Sequence, residues 1–222
     1  MKPIREIDEE RDSKFPAFRR WDAPNWKKWK FYPGAVLYMP FRFWTTIFLV
    51  IILYIVVKIM TLGHNFKAGG PIKGYYRNLV LGNAYRFIST AIILLFGIRM
   101  SREEKDFDYT PFLGPNYKET TVYPKYFSTY VSNHSSWLDI ILMIAYNRPA
   151  FTPKKGLSKL PIFGILTEAL GCIFIARGGT EEERNQIVDQ IIERQRVIEE
   201  TGEYPPVVIF PEGGTSNGRY LL

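Results

Sequence analysis

The sequence predicts an α/β domain with a mainly parallel sheet covered by helices, preceded by an N-terminal membrane-embedded helical hairpin. Three observations carry that prediction. Two long apolar runs, 43–62 and 79–98, stand in the first half of the chain. After Arg99, short β-branched and aromatic runs alternate with stretches of helical character, the pattern of a parallel sheet with helices on both faces. Several of those runs end in loops rich in His, Asn, Gly and charged residues, where α/β sheets collect their sites. The chain thus divides into a basic, aromatic arm (1–40), a membrane-inserted hairpin (41–100) and an α/β domain (101–222).

The arm opens with MKPIREIDEERDSKF, too acidic and too poor in apolar residues for a secretory signal or an ordinary transit peptide. FRRWDAPNWKKWKFYPG follows, whose Lys and Arg suit lipid phosphates while Trp21, Trp26 and Trp29 suit headgroup depth. A solvated loop is the bland alternative. In the run 43–62 no residue from Phe43 to Val57 is charged, and Lys58 sits close enough to the end to snorkel. That run just crosses a hydrocarbon core of about 30 Å. The run 79–98 carries Arg86 in its interior, which costs about 2.5–3.5 kcal/mol if it faces lipid at mid-depth. A half-inserted or protein-packed helix is therefore expected, and the pair reads as a hairpin with both ends on one side. Basic residues flank every segment, so the charge pattern does not fix which side.

Residues 101–125 are polar and proline-bearing, a linker with room for a short strand. FSTYVS (127–132) reads as a strand and 135–146 as a helix. PAFTP is a short strand candidate, LPIFGILTEAL a helix with Gly164 at a packing position, and GCIFIA (171–176) a buried strand. Thr180 and Glu183 form a capping box, and three successive glutamates suit the positive end of a helix dipole. Ile187, Val188, Ile191, Ile192 and Ile198 are expected on one helical face, with Gly202 as the stop and PPVVIFP (205–211) as a further buried strand.

With 46 % apolar and 23 % charged residues the chain has the balance of a folded protein. The net charge of +7 asks for an anionic partner. There is no zinc spacing, helix-turn-helix signal or basic stripe interleaved with stacking aromatics, so a nucleic-acid partner is not expected. The lone Cys172 excludes an internal disulfide framework and a Cys-rich metal site, and its apolar setting reads as a small buried hydrophobe. Any imidazole chemistry must come from His64 or His134.

Three loops carry polar constellations. In VSNHSSWLD (131–139) the chain leaves a strand, passes Asn133 and His134 and enters a helix for which Asn133 or Ser135 is a good cap. With His134 in the turn and Asp139 in the first helical turns, the carboxylate can reach back and fix one ring nitrogen. The other nitrogen is then left as a base for a hydroxyl; the bland reading is a polar capping residue. In the second loop, RGGTEEER, Arg177 sits beside two glycines and a helix N-terminus, a setting that suits a phosphate and equally an exposed arginine in a tight turn. In the third, FPEGGTSNG, Glu212 can hold a hydroxyl or an arginine beside glycines that let a ligand near the backbone, or the loop is a plain glycine-rich turn.

Taken together and in this order, the three loops resemble the glycerolipid acyltransferase family. NHSSWLD resembles its histidine–aspartate block, LGCIFIARGG its second block, and IFPEGGTSNG its glutamate–glycine block. The wider wording, VSNHSSWLDIILM, KLPIFGILTEALGCIFIAR and YPPVVIFPEGGTSNGRYLL, together with PFRF at Pro40, is most similar to the lysophosphatidylcholine acyltransferase branch. The resemblance implies transfer of a fatty acyl group from acyl-CoA to a lysophospholipid hydroxyl, with His134 as base oriented by Asp139. It implies no acyl-enzyme, no metal and no cofactor beyond acyl-CoA as co-substrate. Arg177 would hold the acceptor phosphate; Asn133, Glu212, Gly213 and Thr215 would shape the acceptor site. Lys154 and Lys155 are candidates for CoA or lipid phosphates, a solvated basic loop being the alternative.

The third block departs from the branch at Gly214, where a hydroxyl residue is usual, and has Thr215 where other branches carry arginine. A phosphatidic-acid-type acceptor is disfavoured on that ground. The chain ends at Leu222, before a fourth, proline-bearing block, so the domain 101–222 is expected to be C-terminally incomplete. The rival reading is a catalytically silent relative with a structural or lipid-binding role among other membrane protein subunits. Membrane lipids are the expected surroundings, in the endoplasmic reticulum by the family's habit, with a mitochondrial membrane left open.

Overall fold

The computed structural model describes residues 13, 14, 16, 27, 29, 31–66, 69–101, 103, 107–120, 124–175 and 180–217. Trp21 and Trp26 of the arm lie outside the described residues, and Trp29 is exposed.

A continuous helix, α1 (Phe31–Met60), begins ten residues before the hairpin boundary read from the sequence. One widened turn, Gly34–Tyr38, lies just ahead of Pro40, whose ring lacks an amide and crowds the carbonyl one turn earlier. A loop through Gly63 and Gly74 leads back into α2 (Tyr75–Leu95). Both helices are long and apolar enough to cross a membrane, and at about 1.5 Å per residue α1 reaches about 45 Å. Phe43, Trp44, Phe48, Ile51 and Ile55 of α1 are exposed, the state expected of side chains that face lipid.

The described protein is mostly helical around a small parallel sheet of two strands, β1 (Thr129–Val131) and β2 (Val207–Ile209), paired Thr129 to Val207 and Val131 to Ile209. Two further extended stretches join it through parallel bridges, Ala150 to Val207 and Lys154 to Ile175. Their order across the sheet is 129–131, 207–209, 150–154, 173–175, each neighbour pair joined by backbone hydrogen bonds such as Val207 N–H to Ser128 and Ile173 N–H to Phe151, 2.8 and 2.9 Å. The predicted strand 149–153 and the stretch 172–175 of the predicted strand 171–176 are thus present as extended, bridged segments instead of regular strands. Pro149 and Pro153 remove two ladder donors from the first.

Alternating residues divide the sheet's neighbours into two clusters. Val208 and Phe151 pack with Leu53 and Val57 of α1 and with Leu81, Tyr85, Ile88 and Ile92 of α2. α3 (Leu138–Asn147) and α4 (Pro161–Ala169) add Ile144, Leu166 and Ala169 to the same cluster. Val207, Ala150 and Ile173 pack instead with Ile198 of α5 (Glu181–Thr201). The hairpin therefore shares one core with the α/β part, and the Tyr85 hydroxyl donates to the Leu166 carbonyl at 2.7 Å across that boundary. This supports the protein-packed reading of the second apolar run.

Locally encoded features appear as the sequence predicts them. Thr180 and Glu183 exchange both capping bonds, and Gly202 ends α5 at φ 67°. Gly164 packs so close to the 155–159 turn that a Cβ there would meet the Ser158 carbonyl. Other expectations need correction. Val188 and Ile192 are exposed, whereas Ile187, Ile191 and Ile198 turn inward, because each of the outlying pair is one residue, about 100°, off the buried line. α3 begins at Leu138, and neither Asn133 nor Ser135 caps it. In place of a strand, the described part of 101–125 holds two single helical turns, Thr110–Leu113 and Tyr117–Thr120.

Candidate active site

Because the strands are parallel, the loops that follow them gather along one edge. β1 runs into Ser132, Asn133 and His134; β2 runs into Phe210, Pro211 and Glu212. The imidazole Nδ1 of His134 lies 3.1 Å from Oδ2 of Asp139, with the two side chains 17 % and 23 % exposed. The same carboxylate oxygen accepts the Ser135 and Ser136 amides, both at 2.8 Å. Asp139 thereby holds two amides of the loop that leads into α3, while the Ser136 hydroxyl accepts the Leu138 amide at 3.2 Å, the helix-start role that the sequence suggested for Asn133 or Ser135.

An ionised carboxylate only accepts hydrogen bonds, so the neutral imidazole beside it carries its proton on Nδ1 and leaves Nε2 with a free lone pair. The ring is also held from its face: Phe210 stacks on it with centroids 4.4 Å apart and planes at 23°, and Phe151 stacks behind Phe210 at 6.4 Å.

The third loop fixes the backbone of the first. Glu212 Oε2 accepts the His134 amide at 3.2 Å, and the His134 carbonyl accepts the Ser216 amide at 2.7 Å. The other oxygen, Oε1, is buried with no hydrogen-bond partner among the described residues. Such an orphan acceptor beside the imidazole costs free energy until a donor reaches it, and a ligand hydroxyl is a chemically suitable donor. Gly213 adopts φ 62°, turning the chain right after Glu212, and Thr215 is exposed in the same loop.

Asn133 is exposed beside His134, and Lys154 and Lys155 are exposed where the segment 150–154 ends, along the same edge of the sheet. Arg177 lies outside the described residues, two positions past Ile175 on the neighbouring segment. Cys172 packs against the core, and burial pushes its thiol up to about 12, which agrees with an inert hydrophobe. Sequence reasoning missed Phe210, Ser216 and the two serine amides. The only signal for Phe210 was its place at the end of an apolar strand, which reads as core.

Residues 117–222 match the acyltransferase family. A lysophospholipid acyltransferase of Arabidopsis thaliana is 26 % identical over 252 aligned residues, covering 96 % of this chain and 62 % of the plant protein. A lyso-ornithine lipid O-acyltransferase of Pseudomonas aeruginosa is 36 % identical over 92 residues, 41 % of this chain and 33 % of that protein. A lysophosphatidylcholine acyltransferase of Drosophila melanogaster is 33 % identical over 92 residues, 41 % of this chain and 16 % of that protein. The chain thus spans less than two thirds of the length of these relatives, and no solved structure matches it. The matched stretch follows two helices that are long and apolar enough to cross a membrane. Across that stretch the chain is similar to lysophospholipid-type acyltransferases, those acting on lysophosphatidylcholine among them.

Proposed function

We propose that this protein transfers a fatty acyl group from acyl-CoA to the free hydroxyl of a lysophospholipid, with His134 as general base and Asp139 as its orienting carboxylate. The observation that carries the reading is the 3.1 Å pairing of His134 Nδ1 with Asp139 Oδ2, which leaves Nε2 as the free base. Nε2 takes the proton as the acceptor oxygen attacks the thioester carbonyl. The tetrahedral adduct collapses, the C–S bond breaks, and the imidazolium returns its proton to the departing thiolate, giving an ester and free CoA. The histidine ends as it began, with no acyl-enzyme in the cycle.

The remaining polar groups take positioning roles in this scheme. The unpaired Glu212 Oε1 is the natural acceptor for a second hydroxyl on the glycerol backbone. Arg177 supplies a bidentate partner for the acceptor phosphate, and Lys154 and Lys155 meet phosphates of CoA or lipid. Asn133, Gly213 and Thr215 bound the space between. The exposed apolar face of α1 keeps the site where both lipid substrates are dissolved.

The test is thiol release from a long-chain acyl-CoA by the detergent-purified protein, with and without lysolipid. Release that depends on lysophosphatidylcholine, lysophosphatidylethanolamine or another lysolipid supports the reading. A folded protein that releases no thiol with any acceptor overturns it in favour of a silent relative held in an assembly.

A further inference from the structure

α2 has three faces. Leu81, Tyr85, Ile88 and Ile92 are buried in the core. Tyr76, Val80, Phe87 and Leu94 form an exposed apolar stripe, the kind that sinks into a membrane interface. Between these two faces Asn83 and Arg86 are exposed, and they line an open cleft of about 320 Å³ with Asn147 and Arg148 from the end of α3 and with Pro205 and Pro206.

The cleft is unbalanced in charge. Among the described residues it holds two guanidiniums and no carboxylate. Arg148 donates through Nη1 to the Asn78 carbonyl at 3.0 Å, which leaves most of its five N–H donors unused among the described residues. Arg86 makes no hydrogen bond or ion pair among the described residues. Glu168 and Glu203 line an adjoining crevice together with Arg148, and neither forms an ion pair with it among the described residues. Burial draws the Arg148 guanidinium below its ordinary range, opposed in part by Tyr85 and helped by the smaller effect of Arg86.

The geometry of Arg148 is unusual as well. It is the one non-glycine residue at positive φ, 48°, among the described residues. Pro149 disfavours continuing the helix there, and the left-handed turn swings the guanidinium over Gly82, where a Cβ would come within 3.2 Å of Nη1. Such strained positions gather at ligand sites.

This cleft is separate from the candidate active site. Arg148 leads into Ala150 and Pro205–Pro206 lead into β2, so it lies at the N-terminal edge of a parallel sheet whose C-terminal edge carries His134 and Glu212.

We propose that Arg86 and Arg148 form a second lipid site, which binds the headgroup phosphate of an anionic phospholipid while the apolar stripe of α2 lies against its acyl chains. Planar guanidiniums match phosphate oxygens in pairs, and the Asn83 and Asn147 amides supply further donors. A zwitterionic headgroup brings its own cation and fits two arginines less well. The site makes attachment of the protein respond to the anionic lipid content of its membrane, independently of whether acyl transfer occurs.

The test uses the full chain in neutral detergent, titrated with dihexanoylphosphatidylglycerol, dihexanoylphosphatidylcholine or inorganic phosphate, reading bound lipid by native mass spectrometry and the shift in Tm. Phosphatidylglycerol is expected to bind at least about tenfold more tightly than phosphatidylcholine, a gap of about 1.4 kcal/mol, and Arg86→Gln to erase the preference. Arg148 is left intact because its guanidinium also holds the Asn78 carbonyl; Arg86→Lys, which keeps the charge, should retain part of the preference. Equal binding of the two phospholipids, or a preference that survives Arg86→Gln, overturns the proposal. So does protection by inorganic phosphate as strong as by phosphatidylglycerol, or a preference lost in Arg177→Ala and kept in Arg86→Gln.

Discussion

The chain has two histidines, and the loops that hold them differ in one decisive respect. His64 follows α1; its amide donates to the Thr61 carbonyl at 2.9 Å and its ring meets the edge of Phe66 at 4.7 Å. No carboxylate pairs with that ring among the described residues. His134 has the same ring and a comparable aromatic neighbour, but a carboxylate already fixed by two amides dictates which nitrogen carries the proton. Both rings are half-buried. Burial and aromatic contact make a histidine part of a structure; a fixed partner on one nitrogen is what the proposed base role adds.

Substitutions sharpen that contrast, beginning with the largest effect. His134→Ala is expected to lower acyl transfer by about 10²–10⁴-fold, the range of general base catalysis, while His64→Ala stays within about twofold. Asp139→Asn is expected to cost about 10²–10³-fold with the fold intact, because an amide no longer enforces the Nδ1–H tautomer. Ring nitrogen shifts in the NMR spectrum should then report a mixed tautomer at His134 and no change at His64.

Glu212→Ala removes the acceptor of the His134 amide. It should destabilise the protein by about 1–3 kcal/mol in denaturant melts, and Glu212→Gln by less, since its carbonyl oxygen can still accept. Gly164→Ala serves as the opposite control. The clash with Ser158 should cost about 1–3 kcal/mol of stability and leave the rate per folded molecule unchanged. The smallest effect belongs to the outer face of α5: Val188→Thr with Ile192→Thr should stay within about 0.5 kcal/mol.

What could be read ahead of the structure was what neighbours in sequence decide. The capping box at Thr180 and Glu183 and the stop at Gly202 involve bonds within three or four residues. The reach of Asp139 back to His134 spans five residues, and so was also legible. Partners brought together by the parallel sheet were not. The Glu212 to His134 bond spans 78 positions, and its register depends on β1 lying beside β2, a neighbour relation that hydrophobic periodicity does not encode. The same reason hid Phe210. Its ring faces the imidazole only because that strand pairing aligns the two loops. Val188 and Ile192 misled for a different reason: apolarity alone marks a candidate face, and packing against the sheet selects Ile191 and Ile198, with Ile187 half-buried.

One measurement bears most directly on the central claim, that a carboxylate-fixed imidazole at His134 is the base for acyl transfer. Turnover of a long-chain acyl-CoA with lysophosphatidylcholine is compared for the purified protein, His134→Ala and His64→Ala, with melting curves on all three. Lysolipid-dependent turnover is expected to persist in His64→Ala and to collapse in a folded His134→Ala. Turnover that survives in His134→Ala, or fails equally in both variants while both stay folded, would contradict it.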